Sequence, residues 1–222
     1  MTTHALGEFA DDLEGAGMLE AVRDPATGCA TSSSGHTTPA CEDEGVDPAL
    51  VIRRELPGDE EPTRDLHDLA FGVPDGAERS LETRILDRLR AEGDVLDSLT
   101  FVAELHGEVV GHVVCSRASM GEGRSVGLGP IAVRPDRQGE GIGSALVAAV
   151  LVTADQRHEP SVVLLGDPGW YAHFGFETAA GHGIGSPGPW ADRYFQVKRL
   201  QAWRPELAGP FRYAPAFDLE GV

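Results

Sequence analysis

The stretch Leu128–Leu146, reading L-G-P-I-A-V-R-P-D-R-Q-G-E-G-I-G-S-A-L, constrains this chain more than any other. An apolar run ends at Val133 and a polar turn follows. Gly139, Gly141 and Gly143 then open a helix read over Gly139–Ala154, with Ile142, Ala145, Leu146, Ala149 and Val150 on one face. Three glycines in one helical turn cost up to ~1 kcal/mol each relative to alanine, so the fold has a use for their backbone freedom. With no side chains in the way, the amides of Gly139–Ser144 can converge, and the unpaired N–H groups of a first helical turn add the positive end of the helix dipole. Such a turn suits an anion with the charge of a diphosphate.

The two best-known phosphate loops do not fit. A nucleoside-triphosphate loop needs G-x-x-x-x-G-K-[ST], and there is no lysine here. A dinucleotide fingerprint needs a third glycine where Ser144 or Leu146 stands, and it starts directly off its strand, whereas Arg134–Gln138 intervene. A nucleic-acid partner is disfavoured by a net charge of −18, from 36 acidic and 18 basic side chains in 222 residues. No run approaches the ~18 apolar residues of a membrane span. The first ten residues lack the basic-then-apolar pattern of a secretory leader. The expectation is a cytoplasmic protein with neither a membrane nor a nucleic-acid partner. Cys29, Cys41 and Cys115 form no C-x-x-C pair, and Cys29, His36 and Cys41 lack zinc-knuckle spacing, so no metal is expected.

The acidity is uneven. Residues 1–48 hold ten acids against one base, Arg23, with a T-S-S-S-G run and few large apolar residues. Such a segment buries too little surface to offset its ordering entropy, and it reads as a disordered acidic tail. Residues 49–222 read as one domain. Leu50–Leu56 starts a sheet; Leu66–Phe71 and Leu81–Leu89 have helical spacing. Phe101–Leu105 and Val109–Cys115 form a hairpin about His106-Gly107-Glu108, and Ser125–Val133 is a third strand. After the glycine helix come a buried strand at Ser161–Leu165, a short helix at Trp170–Phe174 and a late strand at Tyr194–Leu200. Strands that first meander and then alternate with helices imply an α/β domain with a mixed sheet.

The string Gln138-Gly139-Glu140-Gly141-Ile142-Gly143 is Q-x-x-G-x-G, and with its strand and helix it resembles the acetyl-CoA motif of the GNAT superfamily of N-acetyltransferases. A second block, Leu164–Glu177 (L-L-G-D-P-G-W-Y-A-H-F-G-F-E), resembles that superfamily's Y-x-x-[FL]-G-F signature, in the G-D-P-led form of one branch of predicted N-acetyltransferases. The resemblance covers about Val51 to the carboxyl end.

It implies a GNAT fold in which the strands Ser125–Val133 and Ser161–Leu165 splay apart, with Gly129-Pro130 as the bulge. Acetyl-CoA is then the cosubstrate. Ile131, Ala132 and Val133 would meet its pantetheine arm, and Gln138, Gly139, Glu140, Gly141, Ile142, Gly143 and Ser144 its pyrophosphate. Arg134 and Arg137 are either helpers at that pyrophosphate or solvated surface. The Val133 amide would stabilise the oxyanion, and Tyr171, at the signature's tyrosine, would be the general acid. Trp170 and Phe174 are assigned to packing. Glu104, His112 or water are candidates for the base. The implied reaction is acetylation of a primary amine whose pocket spans roughly 57–90 and 179–217, in a monomer or homodimer. The alternative is an acyl-CoA-binding module without catalysis.

Overall fold

A two-residue turn, His106-Gly107, with both residues at positive φ (52° and 85°), reverses the chain between two strands that alternate or run continuously apolar. The computed structural model, which describes residues 47–188 and 192–218, builds a sheet outward from this hairpin. The acidic tail read over 1–48 lies outside the described residues except for Asp47 and Pro48. The strands are β1 (Leu50–Arg54), β2 (Phe101–Leu105), β3 (Glu108–Met120), β4 (Gly123–Val133), β5 (Ser161–Leu165), β6 (Glu177–Thr178), β7 (Phe195–Arg199) and β8 (Phe211–Arg212). Their order is β1-β2-β3-β4-β5-β7-β6, with β8 on β3. All pairings are antiparallel except β4 with β5.

That parallel pairing is short. It joins Val126 to Val162 and Gly127 to Val163, and beyond Gly127 the two strands diverge. On its other edge β4 places Leu128 opposite Cys115 and Ile131 opposite Val113. Gly129 and Pro130 therefore face one residue of β3, a bulge at the expected position. Proline at this point removes a donor that a regular ladder would need.

Helix α1 (Glu60–Phe71), α2 (Leu81–Glu92) and α3 (Ile142–Gln156) cover the sheet. Ser80 caps α2 by accepting from the Thr83 N–H, and Gly93 ends it at φ 74°. The two faces have separate cores. Cys115, Val126, Leu128, Val162 and Leu164 pack under α3 with its Ile142, Leu146 and Val150. Their alternating neighbours look the other way: Val114 packs with Leu86 and Leu89 of α2 and with Ala214 and Ala216. Ala118, Met120 and Val163 pack with Phe195 and Phe211. A carboxyl-terminal segment, 203–218, thus closes the face opposite α3.

Gly111 of β3 sets how closely α3 approaches. A β-carbon there would lie 2.8 Å from Ile142 Cγ2 and 3.1 Å from Leu146 Cδ1. The missing methyl lets the start of α3 lie directly on the strand. Differences from the sequence reading are mostly of extent. α1 begins six residues before Leu66, β3 runs five beyond Cys115, and the glycine helix starts at Ile142 rather than Gly139.

Candidate active site

The gap where β4 leaves β5 is flanked by the glycine turn on one side and by the Gly166–Phe176 turn on the other. Gly139 and Gly141 take φ of 84° and 76°, in the left-handed region that favours glycine, and Gly141 is the residue before α3. The first helical bond runs from Ala145 N–H to the Gly141 carbonyl at 3.0 Å. The N–H groups of Ile142 and Gly143 therefore stand at the open, positive end of a 15-residue helix. Gln138 fixes the turn to the strand by donating its Nε2 to the Val133 carbonyl at 3.2 Å. Ile131, Ala132 and Val133 are buried and lie in register with Val113, His112 and Gly111 of β3, on the stretch of β4 that no longer pairs with β5.

The two arginines beside the turn are held by acids. Arg134 donates to Glu108 at 2.9 Å and Asp136 at 2.7 Å, and Arg137 pairs with Glu140 at 3.4 Å. Arg137 Nε is buried without a hydrogen-bond partner. The charges of both arginines are thus already paired with carboxylates of this chain.

Tyr171 sits at the end of helix α4 (Pro168–Tyr171), which Asp167 caps by accepting from the Gly169 N–H at 2.9 Å. Its ring is buried between Trp170 and Phe176, both edge-on, at centroid distances of 4.6 and 5.5 Å. Gly166 makes room for it: a β-carbon at this position would lie 2.3 Å from Tyr171 Cε2. The Gly166 backbone is fixed as well, its N–H donating to the Tyr194 carbonyl at 2.9 Å and its carbonyl accepting Gln196 Nε2 at 2.8 Å. Burial pushes the Tyr171 phenol well above its ordinary range, with the nearby Asp167 and Cys115 adding to the shift. The hydroxyl stays protonated through neutral pH. Trp170 and Phe174 pack against each other at 5.0 Å, and His173 is exposed with its Nδ1 3.1 Å from the Trp170 carbonyl oxygen.

The structure does not bring the two candidate bases to Tyr171. Glu104 lies on β2, two strands from β4, and accepts from Arg53 Nε at 2.8 Å. His112 is fully buried, with its Nδ1 2.9 Å from His67 Nε2 of α1, on the face opposite α3. Behind it stand Glu55, 3.6 Å from His112 Nε2, and Arg90, which pairs with Glu55 and Thr63. Burial holds His67 down to about 3, and burial together with His67 and Arg90 holds His112 well below its ordinary value, so both rings are neutral. Sequence reasoning missed Gly166 as the seat of Tyr171, although a glycine between an apolar strand and a G-D-P turn is a usable signal. Among the described residues no group of three or more His, Cys, Asp or Glu side chains is placed to hold a metal ion.

Residues 97–178 match the family model described as an acetyltransferase (GNAT) domain. The chain is 33% identical over 153 residues, 68% of its length and 87% of the relative's, to the uncharacterized N-acetyltransferase YhbS of Escherichia coli. The crystal structure of that GNAT-family protein in complex with CoA superposes with a TM-score of 0.70 at 30% identity, covering 85% of this chain and 98% of that one. A GNAT-family acetyltransferase from Brucella melitensis in complex with acetyl-CoA superposes with a TM-score of 0.62 at 34% identity, covering 76% and 98%.

Proposed function

This chain belongs to the GNAT acetyltransferase family, and from that premise we propose that it moves an acetyl group from acetyl-CoA to the primary amine of an acceptor. The observation that supports the reading is a buried phenol on a rigid seat just after β5, together with left-handed glycines that open α3 just after β4.

Acetyl-CoA supplies the activated acyl group and a thiol that must leave. The chain supplies the rest. The amides of the 139–144 turn and the start of α3 take the pyrophosphate, supported by the left-handed glycines and the helix end. The backbone groups of Ile131 and Val133, which point away from β3 on either side of Ala132, take the amide-bearing arm, and the Val133 N–H faces developing negative charge on the carbonyl oxygen. Tyr171 holds its proton for the departing sulfur, and its raised pKa keeps that proton in place at working pH. Removal of the amine's proton is assigned to water, since the carboxylate of Glu104 is held by Arg53 and His112 is walled off by α1. Holding amine and carbonyl together contributes on the order of 7–11 kcal/mol to such reactions, so no strong base is required.

We assign residues 49–222 to this catalytic domain and residues 1–48 to a segment outside it. We assign the reaction to the cytoplasm, a reading supported by three cysteines without paired spacing, of which Cys115 is free and buried. Tyr171→Phe tests the reaction: turnover falls about 100-fold, in the range of a lost general acid, while CoA affinity in calorimetry is unchanged. Turnover equal to wild type from pH 6 to 10 refutes the assignment.

A further inference from the structure

We propose that Tyr213 is a second residue of the active site, whose hydroxyl accepts a hydrogen bond from the acceptor amine and sets it at the gap between β4 and β5, across the sheet from Tyr171. The inference rests on the acetyl-transfer reading above and goes beyond it by naming the acceptor's contact.

Tyr213 lies where the gap begins. Gly127 is the last residue of β4 to pair with β5, and a β-carbon on it would stand 3.2 Å from Tyr213 Cδ1 and 3.4 Å from Cε1. The ring therefore lies against the strand at its final pairing. It does so on the far face: Tyr171 belongs to the core under α3, whereas Tyr213 packs with the core formed by Ala118, Val163, Phe195 and Phe211. The two phenols still lie close enough for the charge of one to oppose ionisation of the other. The two rings thus lie by the β4–β5 pairing, one on each face of the sheet.

The ring is held in place. Phe211 and Phe217 flank it, each 4.8 Å away between centroids. The segment carrying it is anchored by the β8–β3 pairs, by Phe211 N–H to the Gly185 carbonyl at 3.0 Å, and by Arg88 on the carbonyls of Pro215 and Asp218. Packing explains the ring but not the hydroxyl. Tyr213 is only half-buried, and among the described residues its hydroxyl, like that of Tyr171, has no hydrogen-bond partner without being one of the sealed-off unpaired atoms, so both oxygens are within reach of a ligand. Beside the ring, 3.2 Å from the same Gly127 position, Ser116 Oγ is fully buried and also without a partner. Unsatisfied polar atoms of this kind are few in native folds and ask for a ligand. A neutral amine fits. It has N–H groups to donate to the phenol oxygen, and its lone pair stays free to attack the carbonyl.

The experiment uses the full chain and CoA release with spermidine, kanamycin, lysine and a short peptide bearing a free amino terminus. The amine turned over fastest by wild type is the probe. Tyr213→Phe keeps the ring and removes only the hydroxyl. The expected result is a KM for that amine raised about tenfold, with CoA affinity and melting temperature unchanged, in contrast to the kcat loss of Tyr171→Phe. A wild-type KM in Tyr213→Phe, or a CoA affinity weakened by the same factor, overturns the assignment while leaving acetyl transfer intact. No amine-dependent release by wild type overturns the acetyl-transfer reading and this assignment with it.

Discussion

Gly166→Ala tests whether the seat of Tyr171 matters to catalysis as much as the hydroxyl itself. The new methyl would stand 2.3 Å from Cε2, 2.9 Å from Cδ2 and 3.3 Å from Cζ of the ring. Carbon atoms in contact rest at about 3.5–4.0 Å, so the ring edge must retreat by roughly 1 Å or more. The backbone cannot yield instead, because Gly166 is pinned through its N–H and its carbonyl. Nor is there open space behind the ring, which Trp170 and Phe176 box in. A 1 Å displacement of a catalytic group costs about 100-fold in rate, and the overpacking costs about 1–3 kcal/mol of stability. The assay is CoA release under saturating substrates, with a thermal melt to choose a temperature at which the variant is folded. Turnover should fall to about the level of Tyr171→Phe. The double variant Gly166→Ala/Tyr171→Phe should be no slower than Tyr171→Phe alone, since there is no longer a hydroxyl to misplace. Wild-type turnover in Gly166→Ala, or losses that multiply in the double variant, would refute the reasoning.

Two further outcomes follow from the packing and from the buried histidines. Gly111→Ala places a methyl 2.8 Å from Ile142 Cγ2 and pushes the start of α3 off the sheet; CoA affinity should fall about tenfold in calorimetry, and an unchanged affinity would show that the helix end is not positioned by this contact. His67 titrates at about 3 in the folded chain against about 6.5 when unfolded, so the unfolded state binds the extra proton between those values and stability declines as pH falls through that window. One such ring contributes up to ~1.4 kcal/mol per pH unit there. In His67→Gln the melting temperature should therefore change less steeply between pH 6.5 and 4, and an identical slope would place the acid sensitivity elsewhere.

What could be read from the chain alone was whatever is local. The glycine turn announces itself because its requirement, backbone at positive φ leading into a helix, is met by residues adjacent in sequence. The same holds for the Tyr171 turn, with its Asp167 cap and its Pro168 at the first helical position. The first half of α1 was hidden because E-E-P-T-R-D has no apolar period. Its order derives from Asp59, which takes two donors of Arg53 at 2.7 and 2.9 Å, a contact that depends on tertiary structure. β8 was hidden for a similar reason: a two-residue strand has no pattern, and only its partner Ser119–Met120 defines it. Tyr213 follows β8 and shared its obscurity. His112 was visible as a titratable residue, but its placement against His67 rather than toward the gap follows from which way β3 turns that position.

The two residue pairs joining β4 to β5 make the sheet a pair of plates with a short seam, β1–β4 with β8 on one side and β5, β7 and β6 on the other. On the proposed reading, a cosubstrate arm bonded along the open part of that seam would be a tie between the plates as much as a reactant. The loaded chain would then be the stiffer body. At a ligand concentration of 100 times its dissociation constant the tie adds ~2.7 kcal/mol to the cost of unfolding. The lifetime of the enzyme, and not only its rate, would then follow the supply of its acyl donor.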